Sequence, residues 1–600
     1  MNWIQNNIND NDLNIVNNSL NKDFIYDRLC YEMNTNKDLL KTIINDNMFN
    51  IFSKCLLNNN ITTKEQINSL LNNINSSIVS PYKLHNAEKA ADLIYTYLNN
   101  KDAYIFIYAD YDCDGISSGY ICYSVLNDLG HCYIELKYPN RTDGYGLNME
   151  YCDYIINNYK DKEVLVITVD NGITKRNEID KLLKANINVL VTDHHESIKE
   201  ELPNCLIVNP CNREEEQEYD YSYLCGCGVI FKVCEILQHK YNKDTMLEYT
   251  PYLAIATLAD VMPLSNENIA FIQYGLDIIN SNKCPLGIKA IMDIQDINYL
   301  TANDILWTLA PMINACGRLN NTELGSKLFF LDEIATPKEI ANKIIKVNES
   351  RKNKSKSTIN KINKNYDFSN DNIIFLYDLK IEPGLIGSIA GKLTEIYNKP
   401  SIIAIKKGDI YSASIRSCNN INIIKYIEEL KNKNIILSFG GHEQACACSF
   451  TEDNITNIIN YFNSLSLTPS TEEQTETLAI NNTFISELSP ILFNDYFFNL
   501  INLIPYDNRQ YIAPIFCIKD ATILSQKIYA SGYGEIKLKK DNKIFEISIF
   551  KDLSDKFKED ILPNCIDNKI TIYGQLTQKK FMSSGFKKSV YSLAINDITI

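Results

Sequence analysis

Three aspartates stand at alternate positions directly after an apolar run of the chain. The run is 103–109, and Asp110, Asp112 and Asp114 follow it before Gly115. An apolar run of this length that meets a glycine is typical of a buried strand followed by a turn. Carboxylates that converge at a strand end repel one another unless a cation lies among them, and a divalent metal ion with oxygen ligands is the usual partner. The segment therefore predicts a metal site.

The same layout, an apolar run followed at once by acidic or imidazole residues, occurs twice more. Helix-like stretches separate the runs, at 117–129 and 173–185. This alternation predicts a parallel sheet with right-handed crossovers, in which ligands bind at the carboxyl ends of the strands. The side chains expected at that edge are Asp170 after run 163–169, and Asp193, His194 and His195 after run 187–192.

A fourth element, the apolar, helix-like stretch 255–264, contains Asp260. Burial of an unpaired carboxylate there would cost on the order of several kcal/mol, so a metal or another cation is the expected partner. Mixed Asp and His ligation favours manganese or magnesium over a thiolate-type zinc site. Four carboxylate sources suit two adjacent ions acting in phosphoryl transfer.

Further motifs resemble the DHH phosphoesterase superfamily and, within it, the RecJ family of single-strand-specific 5′→3′ exonucleases. The likeness runs over residues 81–450. Motifs similar to the catalytic module are 138–147, 225–232 and 310–319, and motifs similar to the companion DHHA1 domain are 382–387, 414–417 and 440–445. The chain departs from the family pattern at three positions. Tyr108 replaces a histidine or a small residue, Glu382 replaces a histidine, and Ala447 replaces a glycine.

The resemblance implies a metal centre with two Mn²⁺ or Mg²⁺ ions. Asp170 would be the bridging ligand, at least one histidine of the pair would bind metal, and Asp193 would orient a neighbour. The implied ligands are Asp110, Asp112, Asp114, Asp170, His194, His195 and Asp260, and all of these except Asp110 form the implied catalytic set.

Substrate-binding residues are also implied. Arg318 has the planar guanidinium that suits a pair of phosphate oxygens, although a structural salt bridge is the alternative. Arg141 and Tyr145 are expected to shape a strand channel, with a place in the core as the alternative for Tyr145. The residues expected to bind the 5′-terminal phosphate are Arg416, Ser417 and His442, with Gly440 and Gly441 allowing the backbone to approach it.

Composition is typical of an intracellular multidomain protein. The 600 residues are 45% hydrophobic, and the 18 cysteines are scattered through apolar stretches, which favours reduced thiols over a disulfide framework. No spanning segment or export signal is apparent, so we expect a cytoplasmic protein, and we expect it to be a monomer.

The net charge of −15 does not exclude a nucleic-acid partner, because the local field along a groove decides binding. The densest basic stretch is either a wall of the strand channel or a solvated linker helix; it contains Lys346, Arg351, Lys352, Lys354, Lys356, Lys361 and Lys364.

The expected architecture is α/β: a parallel-sheet DHH domain and a smaller α/β DHHA1 domain joined by a long helix, then a β-rich, OB-like domain. Strands in that last domain are predicted at 535–540, 544–550, 569–573 and 591–596. A Ser/Thr/Glu-rich linker is expected at 465–476. The predicted boundaries are 1–78 for an N-terminal helical extension, 79–335 for DHH, 336–366 for the connecting helix, 367–465 for DHHA1 and 466–600 for the OB-like nucleic-acid-binding domain.

The implied function is hydrolysis of single-stranded DNA from its 5′ end to 5′-mononucleotides, in recombination and repair. Single-strand-binding protein and a helicase are the implied partners. One alternative is a short-oligonucleotide or cyclic-dinucleotide phosphodiesterase, against which the C-terminal strands argue. Another is a catalytically silent DNA-binding scaffold, against which the retained carboxylates argue.

Overall fold

The computed structural model describes most of the chain between residues 4 and 599. The segments outside the described residues are 7, 34, 73–77, 131–132, 197–200, 212–222, 265, 298, 332–334, 369–370, 378–379, 419–420, 466–482, 505, 507–510, 529–533, 550–568 and 584–585. The predicted linker at 465–476 falls almost wholly in one of these segments.

A five-stranded parallel sheet lies at the centre of the catalytic module. Its strands are β2 Ala103–Ala109, β3 Tyr133–Lys137, β4 Glu163–Val169, β5 Asn188–Thr192 and β6 Leu206–Val208. The strand order is β3-β2-β4-β5-β6, and every neighbouring pair is parallel. The three apolar runs of the sequence form the three inner strands, as predicted, because strands covered on both faces are almost continuously apolar.

Helices cover both faces of this sheet. The helices of the module are α6 Ala87–Leu98, α7 Cys113–Leu129, α8 Met149–Tyr159, α9 Arg176–Lys184, α10 Gly226–Lys240, α11 Thr250–Ala259, α12 Asn266–Ile279, α13 Leu286–Ile294, α14 Ala302–Asp304, α15 Ala310–Arg318 and α16 Thr322–Ser326. Ile105 and Ile107 pack with α7 and α10 on one face of the sheet, whereas Phe106 and Tyr108 pack with α8 and α9 on the other.

A long helix, α17 (Pro337–Asn365), leads to the second module. It starts with a capping box between Thr336 and Glu339 and with proline at its first position, both strong helix-start signals. The elements of the second module are β7 Ile374–Leu376, α18 Ile386–Tyr397, β8 Ser401–Lys407, β9 Ile410–Arg416, α19 Ile423–Asn432, β10 Ser438–His442, β11 Ala445–Thr451 and α20 Ile455–Asn463. Its strands form a mixed sheet of order β10-β11-β9-β8-β7.

The C-terminal region is rich in β-structure, as predicted. Its elements are β12 Thr483–Phe484, β13 Ser486–Glu487, α21 Asp495–Ile501, β14 Ile515–Ile528, β15 Gly534–Lys540, β16 Lys543–Ile549, β17 Lys569–Ser583 and β18 Phe586–Thr599. Pairing of β14 with both β15 and β17 closes a ring of order β14-β15-β16-β18-β17, in which β16 and β18 are parallel. The sequence predicted the last four strands but not β14, whose apolar alternation is broken where Asp520 adopts a positive φ of 54°.

The N-terminal helices pack against this C-terminal region as well as against the catalytic module. Asn59 both accepts a hydrogen bond from the backbone N–H of Ile512 and donates one to its carbonyl. A continuous hydrophobic core includes Phe52, Ile167 and Phe516, so the two ends of the chain share a core with the catalytic sheet. The N-terminal elements are β1 Ile4–Gln5, which pairs with β12, α1 Asp10–Ser19, α2 Lys22–Met33, α3 Lys37–Ile43, α4 Asp46–Asn58 and α5 Lys64–Ile67.

None of the described helices combines the length and the apolar character that crossing a bilayer requires.

Candidate metal centre and phosphate site

The turn from β2 into α7 carries the first acidic block. Asp112 is the N-cap of α7, and its Oδ1 accepts hydrogen bonds from the backbone N–H groups of Asp114 and Gly115 at 3.0 and 3.1 Å. Asp114 is buried, and its two oxygens accept hydrogen bonds from the backbone N–H groups of Gly226 and Cys227, at the start of α10. Asp110 is also buried, but its Oδ1 receives no hydrogen bond from the residues that the structure describes. Its capping hydrogen bonds therefore fix Asp112, the N-terminus of α10 fixes Asp114, and burial restricts Asp110.

Asp170 follows β4 in a strained backbone conformation. Its φ is +61°, which only a few per cent of residues other than glycine adopt. The side chain is buried, and among the described residues Oδ1 receives no hydrogen bond, although His194 Nε2 is 3.3 Å away. A strained residue with an unsatisfied buried oxygen is typical of a functional site.

His194 lies at the centre of the carboxylates. Its Nε2 is 3.3 Å from Asp170 Oδ1, 3.6 Å from Asp260 Oδ2 and 3.8 Å from Asp114 Oδ2. Burial lowers the pKa of His194, which favours the neutral imidazole that a metal ion needs as a ligand.

His195 is held by Asp193. His195 Nδ1 is 2.7 Å from Asp193 Oδ1, and the same oxygen accepts hydrogen bonds from the backbone N–H groups of both histidines. Burial alone would lower the pKa of His195, but the Asp193 carboxylate outweighs it and raises the pKa to about 9. The Tyr145 hydroxyl, 3.1 Å from His195 Nδ1, also contacts this pair. Tyr145 is 36% exposed, so it does not belong to the core, and its hydroxyl lies at the edge of the cluster.

The expectation that Asp260 lies inside a helix is wrong. Helix α11 ends at Ala259, Asp260 is its C-cap, and Val261 follows with a φ of +56°. The Asp260 side chain is 34% exposed, so it reaches the cluster from the end of the helix and from the solvent side.

The carboxylates of the cluster destabilise one another's charged forms. The pKa values of Asp110, Asp170 and Asp260 are raised well above the ordinary value, first by burial and then by the neighbouring carboxylates. The pKa of Asp114 is raised by burial despite its hydrogen bonds and His194. A cation among these groups would remove the repulsion.

The ligand atoms form three overlapping groups, each within 4.8 Å. Asp170 belongs to two of them, as a bridging ligand would. Oxygen and imidazole donors, with unsatisfied oxygens on Asp110 and Asp170, fit Mn²⁺ or Mg²⁺. The groups are Asp110 with Asp112 and Asp170, Asp114 with His194 and Asp260, and Asp170 with His194 and His195.

Gly226, which lies in one of the quoted motifs but was not itself predicted as a site residue, sets the distance between α10 and the cluster. A Cβ atom on Gly226 would lie 2.6 Å from the Cβ of Asp170, closer than non-bonded carbon atoms approach. We expect Gly226→Ala to displace Asp170 and to lower metal-dependent activity by about 10²-fold, since a displacement of about 1 Å costs this much. Activity and the metal-induced rise in melting temperature test this. Gly228→Ala is the control, because its Cβ would lie 3.1 Å from a flexible leucine side chain. Unchanged metal-induced stabilisation in Gly226→Ala would contradict the assignment.

Four arginines form a positive cluster where α17 and the two modules meet, and two of them, Arg141 and Arg318, lie near the acidic block. Arg318 ends α15, and its guanidinium donates to the backbone carbonyl of Gly384 in the second module at 3.2 Å. Burial lowers the pKa of Arg318 to about 10, and the positive charges of Arg141, Arg351 and Arg416 contribute to this lowering. No ion pair involving Arg318 occurs among the described residues, so the salt-bridge alternative is not supported. An anion between the modules would relieve this repulsion.

Arg351 is the member of this cluster that the sequence did not single out. It was assigned only to the basic stretch, because its approach to Arg318 depends on how α17 packs between the modules. Its Nε donates to Asn348 Oδ1 at 3.1 Å, which holds the side chain on that face of α17.

The predicted 5′-phosphate residues lie at one end of the second sheet. Arg416 donates hydrogen bonds to Ser414 Oγ and to the carbonyl of Ile415, whereas the Ser417 hydroxyl donates to the carbonyl of Ile421. Gly440 and Gly441 belong to β10, and Gly441 has a φ of +132°. His442 is also in β10, but its side chain lies outside the described residues.

The three departures from the family pattern have different local consequences. Tyr108 is buried in the core with α8, and its hydroxyl accepts a hydrogen bond from Asn148. Glu382 forms an ion pair with Lys354, which offsets its repulsion of an anion. Ala447 faces Gly440 across the β10–β11 pair and is exposed.

Comparison with known proteins agrees with this arrangement. The DHH family, N-terminal domain, matches residues 104–258, and the DHHA1 domain matches residues 370–466. The single-stranded-DNA-specific exonuclease RecJ of Haemophilus influenzae is 28% identical over 413 residues, which are 64% of this chain and 70% of that protein. The chain is a RecJ homologue. The RecJ of Bacillus subtilis is 28% identical over 433 residues, 70% of this chain and 53% of that protein.

Solved RecJ structures share the fold. RecJ from Thermus thermophilus in complex with Mn²⁺ has a TM-score of 0.69 at 21% identity, over 92% of this chain and 76% of that one. A second exonuclease RecJ bound to manganese has a TM-score of 0.55 at 25% identity, over 65% of this chain and 97% of that one. The parallel sheet, the second α/β module and the β-rich C-terminal region of this RecJ homologue are therefore features of a known architecture.

Proposed function

We propose that this RecJ homologue is a metal-dependent exonuclease that hydrolyses single-stranded DNA from its 5′ end and releases 5′-mononucleotides. One observation carries the proposal: an acidic and imidazole cluster suited to divalent cations lies near Arg141 and Arg318, which belong to a cluster of four arginines from the two modules and α17. Tyr111 connects the acidic groups with the arginines. It lies between Asp110 and Asp112 in the sequence, and its ring centroid is 5.0 Å from the Arg141 guanidinium. Negative and positive groups this close together suit a phosphodiester, which needs both metal ligands and phosphate donors.

The residues divide the work of hydrolysis between the two modules. Divalent cations bound by the cluster would supply an activated water and neutralise charge on the scissile phosphate. Arg318 and Arg351 orient that phosphate through charge-assisted hydrogen bonds. Arg416 and Ser417 bind the terminal 5′-phosphate, and Arg141, whose guanidinium lies over the Tyr111 ring, lines the channel of the strand. Asp193 holds His195 in one orientation toward the cluster.

A single strand is the substrate that the rest of the chain supports. The C-terminal ring of strands is proposed to act as an OB-like barrel, since such barrels bind single strands through aromatic and basic side chains. Three lysines in β15 and Lys543 at the start of β16 support this role. The curated relatives carry the name of a single-stranded-DNA-specific exonuclease. Action on DNA in the cytoplasm as a monomer, with single-strand-binding protein and a helicase supplying accessible strands, belongs to the same proposal.

A substrate panel tests the proposal. The purified protein with Mn²⁺ is given a 5′-phosphorylated single-stranded DNA, the same sequence as duplex DNA, the same sequence as RNA, a dinucleotide and a cyclic dinucleotide. We expect cleavage of the single-stranded DNA and protection of the duplex. Cleavage of dinucleotides or cyclic dinucleotides only would show a short-oligonucleotide phosphodiesterase, and tight binding without any cleavage would show a silent scaffold.

A further inference from the structure

A basic groove runs between the connecting helix α17 and the helix α18 of the second module. It encloses a cavity of about 450 Å³, a volume in the range of ligand pockets. The residues that α17 contributes recur about every four positions from 351 to 363, so they share one face of the helix. At about 1.5 Å per residue, this face extends the groove for about 18 Å.

The lining of the groove is positively charged. Arg351, Lys352, Lys356 and Lys392 line it, and its lining contains neither aspartate nor glutamate. Lys392 pairs with Glu395 at 2.8 Å, but neither Lys352 nor Lys356 forms an ion pair within the described part of the chain. Like charges four residues apart on a helix repel each other. In a chain of net charge −15, this local excess of positive charge favours an anion in the groove.

The groove is continuous with the arginine cluster. Arg351 belongs to both, since it lines the groove and its charge acts on Arg318. The first turn of α18 makes a second connection. A Cβ atom on Gly387 would lie 3.1 Å from a guanidinium nitrogen of Arg416, and the next residue, Ser388, lines the groove. An anion in the groove therefore lies next to the phosphate site and not on a separate surface.

Uncharged groups of the groove also suit a nucleotide. The Ser355 hydroxyl is buried and receives no hydrogen bond among the described residues, and Asn360 adds an amide. Ile359 and Ile396 add apolar surface. Hydroxyl, amide and lysine donors are the groups that contact phosphate and sugar in protein–nucleic acid complexes.

We propose that this groove is a second phosphate-binding site, outside the metal centre, that takes the phosphate of a nucleotide. The phosphate belongs either to the backbone of the substrate strand or to a released 5′-mononucleotide, and both present the same chemistry to Lys352 and Lys356. The inference rests on the proposed function, because it assumes that nucleotides are the ligands of the neighbouring site.

The test compares two double variants of α17. Lys352→Ala/Lys356→Ala removes two groove charges, whereas Lys361→Ala/Lys364→Ala removes two exposed charges of the same helix that do not line the groove. Both are made in full-length protein carrying Asp170→Asn, so that strands are bound without being cleaved. The probes are a single-stranded DNA of about 12 nucleotides, a length within the site sizes of single-strand-binding proteins, and 5′-dAMP, each titrated at several salt concentrations.

We expect the groove variant to bind about 3- to 30-fold more weakly than the control variant, as loss of two exposed charge contacts predicts. If the strand occupies the groove, only the oligonucleotide binds more weakly, and the slope of log K against log salt falls by about 1.4, or about 0.7 per phosphate contact. If the mononucleotide occupies it, 5′-dAMP binds more weakly as well. Equal affinities of the two variants for both probes would overturn the inference.

The experiments distinguish an error in the groove assignment from an error in the proposed function. If the wild-type protein cleaves single-stranded DNA but the two variants bind alike, the groove is not a site and the function stands. If the wild-type protein neither cleaves nor binds the strand, the proposed function itself is wrong.

Discussion

Replacing Asp170 with asparagine is expected to lower metal-dependent hydrolysis by about 10³-fold while leaving the metal-free protein at least as stable as the wild type. Asparagine has nearly the same shape and tolerates the left-handed φ of +61° at this position. It removes a buried carboxylate that lies beside Asp110 and Asp112 and whose Oδ1 accepts no hydrogen bond within the described part of the chain. Loss of about 4 kcal/mol of transition-state stabilisation would lower kcat/KM by about 10³-fold.

Melting temperature with and without Mn²⁺ separates a ligand role from a structural one. Saturating metal at about 100 times its Kd stabilises a protein by about 2.7 kcal/mol, so the wild-type melting temperature should rise and that of Asp170→Asn should rise much less. Asp161→Asn, in the exposed turn before β4, is the matched control and should behave as wild type. A destabilised Asp170→Asn that still responds to Mn²⁺ would assign Asp170 to the fold and not to the metal centre.

Replacing Arg318 with alanine is expected to lower kcat/KM by about 10²- to 10³-fold, the usual effect of removing one donor to a transition-state oxyanion. The fold should survive, because Arg318 is repelled by the other three arginines and, among the described residues, its side chain donates one hydrogen bond, to Gly384. Single-turnover rates at saturating single-stranded DNA measure the chemical step.

Arg318→Lys is the graded comparison. It keeps the positive charge but not the planar fork, so we expect activity between those of the wild type and the alanine variant. If both variants lose activity in proportion to a fall in melting temperature, Arg318 joins the modules and does not bind phosphate.

The residues at the strand ends could be predicted from the sequence because their placement follows from local pattern. Apolar runs identify buried strands, and the rule that ligands bind at the carboxyl ends of parallel strands then brings Asp110, Asp170 and His194 together without any knowledge of packing. The long helix α17 was predictable for the same reason, since its polar, uninterrupted sequence and its capping box are local signals.

Contacts between distant segments could not be predicted. Asp260 was placed inside a helix because the apolar pattern runs past it, whereas the chain ends the helix there with a positive φ at Val261. Arg351 reaches Arg318 only because α17 packs between the modules. The pairing of Asn59 with Ile512 joins residues 453 positions apart, and no local periodicity reports such a contact.

The fate of a label at the 5′ end shows whether the protein hydrolyses a strand from that end. A single-stranded DNA labelled with ³²P at its 5′-phosphate is incubated with the protein and Mn²⁺, and the products are separated by length at early times. We expect the label to appear at once as a 5′-mononucleotide, Asp170→Asn to release almost none, and the same strand in a blunt duplex to be spared. Label that first appears in short oligonucleotides of mixed length, or that is released equally by Asp170→Asn, would contradict hydrolysis from the 5′ end at this cluster.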